Sequence, residues 1–445
     1  MTPTRPSSPL LALCACLLSL APAAQAQSLL SLTELARGYD ASWQASKAQY
    51  DAATSRADQA RAGLLPSAGI SAGASTAHTN IHTVQHAHLT TPSQNVTLSA
   101  SQPLYRPANR IAYQQGQRGI DVAQAQLDSA TQDLLVRVSQ AYFDVLAAQD
   151  SLTFVRAQKA AVAEQLAAAQ RNFEVGTATI TDTREAQAGH DLVVAREIAA
   201  ENDLHVKRLA LDQLVGQVGT QPRPLALPVQ IPAVLPADVN AWVDRSQDEQ
   251  PMVRQAMIAL DIAKLETEKA RTGHLPTVDL QAGYAVNRTP NGSITVPGVN
   301  MRTNTASVGV ALNMPLFAGF AVQNRIKETL ALEEKARADL DATRRALAQN
   351  TRSAFYGVQS GQSQLKALEA AELSSQSALE ANQLGYKVGV RINIDVLNAQ
   401  SQLYQTKRDL AAARYNVLLG TLRLRQAAGT LNLDDIAGID ALLVK

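Results

Sequence analysis

Phe173-Glu174-Val175-Gly176-Thr177-Ala178-Thr179-Ile180-Thr181-Asp182 and Tyr386-Lys387-Val388-Gly389-Val390-Arg391-Ile392-Asn393-Ile394-Asp395 are one motif written twice, 213 residues apart. The same offset runs without a gap from Ala141-Tyr142-Phe143 and Ala354-Phe355-Tyr356, through Ala186-Gln187 and Ala399-Gln400, to Gly216 and Gly429. Upstream it slips to 212 at Pro103-Leu104-Tyr105 and Pro315-Leu316-Phe317, then to 210 at Arg61 to Pro66 and Arg271 to Pro276. The chain therefore consists of two repeats, about 27–229 and 230–445. Pro222, Pro224, Pro228, Pro232 and Pro236 mark the linker between them.

Each repeat presents the same order of elements. An amphipathic helical stretch comes first, over Leu32–Leu64 and over Val239–Arg271, the second interrupted at Pro251. Each stretch ends at a proline, Pro66 or Pro276, which cannot continue a helix. Two alternating strands follow, at about 65–105 and at about 276–317. In the second repeat Val278, Leu280, Ala282, Tyr284 and Val286 share a face, Asn287 to Gly292 marks a loop, and Val308, Val310, Leu312, Met314 and Leu316 form the next run. The first repeat alternates more weakly, at Ile70 and Ala72 and at Val96, Leu98 and Ala100. Strands of about ten residues with one apolar face suit a transmembrane barrel.

Helix then dominates. No proline lies between Pro107 and Pro222, and none follows Pro315. Asn109 to Val175 reads as one helix about 100 Å long at roughly 1.5 Å per residue, far beyond the globular norm. Leu127, Leu134, Ala141 and Ala148 recur every seven residues, as do Val138, Val145 and Leu152. Leu340, Leu347 and Ala354, with Val358 and Leu365, repeat the register in the second half, which predicts coiled-coil seams. Gly176 and Gly389 break the long helices, and shorter partners return to Gly216 and Gly429. The hairpins span 109–216 and 320–429. The fold class is mainly α with a small β part.

Residues 1–26 read as a cleaved export signal, with Arg5 ahead of an apolar Leu10–Leu20 core and Ala24-Gln25-Ala26 at the cut. A competing reading acylates Cys16, but the apolar run continues past it through Leu17, Leu18 and Leu20. Both cysteines, Cys14 and Cys16, fall in this segment, so the mature chain has no thiol chemistry. Without Arg5, 39 of the 40 basic residues face 39 acidic ones, a balance unlike that of a nucleic-acid binder. Aromatics are only 4%, as small-residue helix packing requires. No mature segment has the 18 or so apolar residues of a transmembrane helix, so a membrane crossing must use barrel strands. Four strands per chain fall short of the minimum of about eight, and open edges are not tolerated in lipid, so several subunits must combine. The alternative is a soluble periplasmic coiled-coil adaptor or structural rod, which gives no reason for strand pairs at matched places in both repeats.

Gln102-Pro103-Leu104-Tyr105, Gln140-Ala141-Tyr142-Phe143-Asp144-Val145-Leu146 and the two glycine motifs resemble the TolC-like outer-membrane efflux and secretion channels over nearly the whole mature chain. The resemblance implies a homotrimer whose strands close a 12-stranded barrel in outer-membrane lipid, continued by a periplasmic α-helical barrel. An equatorial domain would hold the linker and the C-terminal tail. The duct would serve type I protein secretion or multidrug efflux, recruited by a periplasmic adaptor and an inner-membrane transporter of ABC or RND type. Adaptor tips would meet Val175, Gly176 and Thr177, and Val388, Gly389 and Val390. The resemblance also implies a latch closing the periplasmic end, in which Tyr386 and Arg391 tie one helical pair to its neighbour through Thr181 and Asp182. A second, uncharged link would fall at Gln165 and Gln383. Best-known members carry two aspartates one turn apart at the constriction; here Asp395 keeps the first position and Asn398 replaces the second. One acidic ring is expected in place of two.

His78, His82, His86 and His88 cluster between the first two strands. Four imidazoles can hold a transition metal, but without a reinforcing cysteine or acid they read as part of a solvated extracellular loop, and no metal site is assigned. No nucleophile motif, phosphate loop or carboxylate pair stands out, so neither an enzyme nor a cofactor is expected.

Overall fold

A computed structural model describes residues 27–82, 86–229, 231–292, 296 and 298–444. The expected leader, with Cys14 and Cys16, lies outside the described residues. The chain divides into two compact units. One comprises the chain up to Gln44 with Ala130–Gln250 and the part from Leu347 on; the other comprises Ala45–Ser129 and Pro251–Ala346.

Each repeat opens with two helices, α1 (Leu29–Tyr39) and α2 (Ala41–Ala62) in the first, α5 (Val239–Glu249) and α6 (Pro251–Arg271) in the second. The interruption at Pro251 matches expectation; the one at Asp40 corrects the single stretch read over Leu32–Leu64. The Asp40 backbone is extended, and its carboxylate accepts from the Trp43 N–H at 2.7 Å, capping the new helix. Arg137 also donates to it, at 2.9 Å, and this guanidinium holds the Asp40 carboxyl below its ordinary range. Asp40 and Gln250 stand 210 residues apart, so both repeats break at the same place.

In the second unit the strands β1 (Ser67–His82), β2 (His86–Tyr105), β3 (Thr277–Thr289) and β4 (Met301–Asn313) form an antiparallel sheet in chain order. They run to 16, 20, 13 and 13 residues, longer than the expected ten, and the weakly alternating first pair is the longest. Cross-strand hydroxyl contacts such as Ser75 to Ser93 at 2.8 Å sustain that ladder where apolar alternation fades. Residues 78–82 and 86–88 are therefore strand rather than loop. Asn287 and Arg288 likewise remain paired, with Thr303 and Arg302, so that loop begins later than expected.

Directly opposed residues share a face. Ile70 pairs with Leu98, Leu98 with Tyr284, and Ala282 with Val308, which builds one continuous apolar surface across the four strands. Ser71, Thr97 and Ala285, or Gly69, Ser99 and Gly283, form the opposite, small and polar face. The apolar face is bare, with Ile70 75% and Val308 80% exposed. At the base of the sheet Arg106 forks onto Asp279 of β3, Nε to Oδ1 at 2.7 Å and Nη2 to Oδ2 at 2.6 Å, joining the repeats.

α3 (Pro107–Glu174) and α7 (Ala321–Lys387) run 68 and 67 residues, followed by α4 (Ile180–Val215) and α8 (Asn393–Ala428). Pro107 opens α3 because its missing N–H needs no partner in a first turn. Gly216 and Gly429 close α4 and α8 in the left-handed conformation, at φ 72° and 79°. The heptads build the seams: Val155, Val162 and Ala169 of α3 pack on Ala186 and Val193 of α4, and Leu379 of α7 packs on Val396 and Leu403 of α8. Each fully buried Leu or Val contributes about 1.5–3 kcal/mol relative to exposure. Among the described residues no helix is long and apolar enough to cross a membrane.

A second core joins the repeats within the first unit. Phe143 stacks on Tyr415 with ring centroids 5.8 Å apart, and the Tyr415 hydroxyl donates to Asp150 Oδ2 at 2.7 Å. A last helix, α9 (Leu433–Asp440), returns to the start of the chain: Asp440 Oδ1 accepts from the Leu29 N–H at 2.8 Å. The linker joins this cluster through a bridge from Gln27 to Pro222 and another from Leu225 to Leu443.

Candidate functional site

The two glycine turns are built alike. In the first, Gly176 has φ 79°, and the Asn172 carbonyl accepts from the N–H groups of Thr177 and Ala178 at 2.8 and 3.1 Å. In the second, Gly389 has φ 81°, and the Gly385 carbonyl accepts from Val390 and Arg391 at 2.9 and 3.2 Å. Only glycine holds this left-handed closure without side-chain strain. Val175, Val388 and Val390 stand exposed around it, Val390 to 76%.

The turns then diverge at two positions. Thr179 caps α4 and forms a reciprocal box with Asp182: the Asp182 N–H donates to Thr179 Oγ1 at 3.2 Å, and the Thr179 N–H to Asp182 Oδ2 at 2.9 Å. The counterpart in α8 is Ile392, which offers no side-chain cap. Asp395, the equivalent of Asp182, is thereby freed from capping. Its Oδ2 lies 3.6 Å from Arg391 Nη1, a pair left partly in solvent. Arg391 corresponds to Ala178, and Gly385 makes room for it, since a Cβ there would stand 2.7 Å from Arg391 Cγ.

The expected latch residues take different partners within one chain. The Tyr386 hydroxyl accepts from Asn172 Nδ2 at 3.2 Å. Gln165 donates to Asn393 Oδ1, not to Gln383, and Asn393 Nδ2 donates to the Asp182 carbonyl at 3.2 Å. Among the described residues no hydrogen bond within the chain joins Tyr386 or Arg391 to Thr181 or Asp182. Thr181, Gln383 and Asn398 are exposed. Asn393, fully buried, is the residue the sequence reading missed. Its signal was available: Thr-x-x-Asp at 179–182 becomes Ile-x-x-Asp at 392–395, so the second helix start must satisfy its polar groups another way.

The sequence matches the outer membrane efflux protein family over residues 32–217 and 242–430. The chain belongs to this family. It is 32% identical to the outer membrane protein TolC of Vibrio cholerae over 423 residues, covering 95% of each chain. It is 33% identical to the alkaline protease secretion protein AprF of Pseudomonas aeruginosa over 351 residues, covering 78% of this chain and 72% of that one. In fold it is similar to the Campylobacter jejuni CmeC outer membrane channel, with a TM-score of 0.78, 15% identity, and coverage of 93% and 89%. A member of this family is an outer-membrane export channel with a helical periplasmic part, and the reading as a soluble adaptor or rod gives way.

Proposed function

We propose that three copies of this chain close a barrel from their four-stranded sheets, continue it as a helical tunnel, and serve as the exit duct of a tripartite export machine. The sheet carries this reading: β1 and β4 leave open edges beside a bare apolar face. Lipid accepts the face but not the edges, which three sheets in a ring would pair. Cargo passes without chemistry on the duct's part and without a cofactor. It is a secreted protein, a drug, or both, delivered by an ABC or RND transporter in the inner membrane. The adaptor docks on Val175-Gly176-Thr177 and Val388-Gly389-Val390, whose exposed valines support it.

The resting tunnel closes at these tips through contacts between neighbouring chains, with Tyr386 and Arg391 reaching Thr181 and Asp182 and with Gln165 and Gln383 beside them. Asp395, free of capping, contributes one carboxylate per chain to a ring that favours cations, and Asn398 adds none. Light scattering of the folded protein in mild detergent is expected to give a trimer mass; a monomer would sink the proposal.

A further inference from the structure

Above Gln94, where β2 last pairs with β3, β1 and β2 continue as a two-stranded ribbon paired to each other. Four of the chain's 7 histidines sit at register positions of this ribbon. The pairs His78 with Thr90 and Asn80 with His88 are spaced by two, so they fall on one face of the ladder. That face is the one that carries Ile70 and Leu98 further down.

Two of the rings are held in a defined way. His88 Nδ1 lies 2.7 Å from Asn80 Oδ1, and His78 Nδ1 lies 2.9 Å from Thr90 Oγ1. A carbonyl oxygen only accepts, so the Asn80 contact fixes the proton of His88 on Nδ1 and leaves the Nε2 lone pair free. A metal-bound histidine is held in this way, one nitrogen donating to an oxygen while the other coordinates. His78 and His88 are diagonal neighbours, about 7–8 Å apart across the ladder. Two imidazoles span that gap with a cation about 2.0–2.1 Å from each nitrogen. No group of three or more His, Cys, Asp or Glu side chains gathers among the described residues, so water completes the shell. Imidazole without carboxylate selects zinc, nickel or copper over calcium or magnesium.

We propose that His78 and His88 bind a divalent transition-metal cation on this ribbon through their Nε2 atoms. Full-length, untagged protein in detergent, titrated with zinc chloride by calorimetry, is expected to bind zinc and to be retained on nickel-charged resin. His78→Ala with His88→Ala should lower zinc affinity at least tenfold and abolish retention; His190→Ala with His205→Ala should change neither. Asn80→Leu should weaken binding by releasing the His88 tautomer, roughly 10-fold or more as for other lost supporting contacts. Far-ultraviolet circular dichroism checks that the ribbon variants remain folded, and His78→Gln with His88→Gln repeats the test with polar replacements. Unchanged zinc affinity in both double variants at 78 and 88, or a loss confined to His82→Ala with His86→Ala, would overturn the proposal.

Discussion

Tyr415→Phe removes one oxygen from the core that joins the repeats and leaves the ring stacked on Phe143. That oxygen donates to Asp150 at 2.7 Å. Burial pushes the Asp150 carboxyl above its ordinary range, and the Tyr415 hydrogen bond pulls it partly back. Without the hydroxyl a half-buried carboxylate loses its donor, which costs about 1.5–3 kcal/mol for a bond to a charged group. The sign with pH follows from linkage. A carboxyl raised in the folded state prefers its proton there, so stability rises as pH falls through the folded pKa, and the variant, raised further, gains more. The deficit of Tyr415→Phe is therefore largest near neutral pH and shrinks toward pH 4. Urea unfolding of detergent-solubilised protein, followed at 222 nm at pH 7.5 and pH 4.5, reads both values. Asp150→Asn in the same background should recover much of the neutral-pH loss. An equal deficit at both pH values, or none at pH 7.5, would refute the assignment.

Gly389→Ala should destabilise by about 1–2 kcal/mol from its left-handed backbone alone. Gly429→Ala should lose clearly more in the same urea assay, because its Cβ would stand 2.4 Å from the Gln250 Cα. Arg391→Ser with Tyr386→Phe should leave the fold intact and raise single-channel conductance in planar bilayers, each lost link removing roughly 1–3 kcal/mol of closure. Asp395→Ala should remove most multivalent-cation block and Asn398→Asp should deepen it, as current recordings with a trivalent cation would show. Ile392→Thr should recreate the capping box seen at Thr179 and stabilise the second tip by about 0.5–1 kcal/mol. Slower amide exchange over 393–396 measures that gain, and weaker cation selectivity should accompany it as Asp395 is drawn into capping.

Long-range periodicity made the large elements legible. The heptads at Leu134 to Leu152 and the absence of proline placed α3 within two residues at its start, because a repeating seam is a strong local signal. The glycines that end α4 and α8 were equally plain. The break at Asp40 was less plain: its local signals, Gly38 and a capping carboxylate on the Trp43 N–H, are short, and Arg137, far along the chain, also holds that carboxylate. The length of β1 and β2 was hidden for a related reason: pairing extended by serine, threonine and histidine leaves no apolar alternation to read. At the tips, the glycine turns could be read from the motif, whereas the partners of Gln165 and Tyr386 depend on how two repeats meet, which neither repeat states alone.

The bond from the Leu29 N–H to Asp440 has a consequence in time. Residues separated by 411 positions satisfy one another there, and the linker is stitched in beside them at Pro222 and Leu225. An exported chain emerges amino end first, so α1 must wait for nearly everything else before its first turn is completed. The hairpins, rich in local contacts, can zip early, while this junction closes late and at the entropic cost of long loops. A chain cut short before α9 would keep its coiled-coil seams and lose the partner of the Leu29 N–H. A pulse of proteolysis during refolding should find the α1 region open longest.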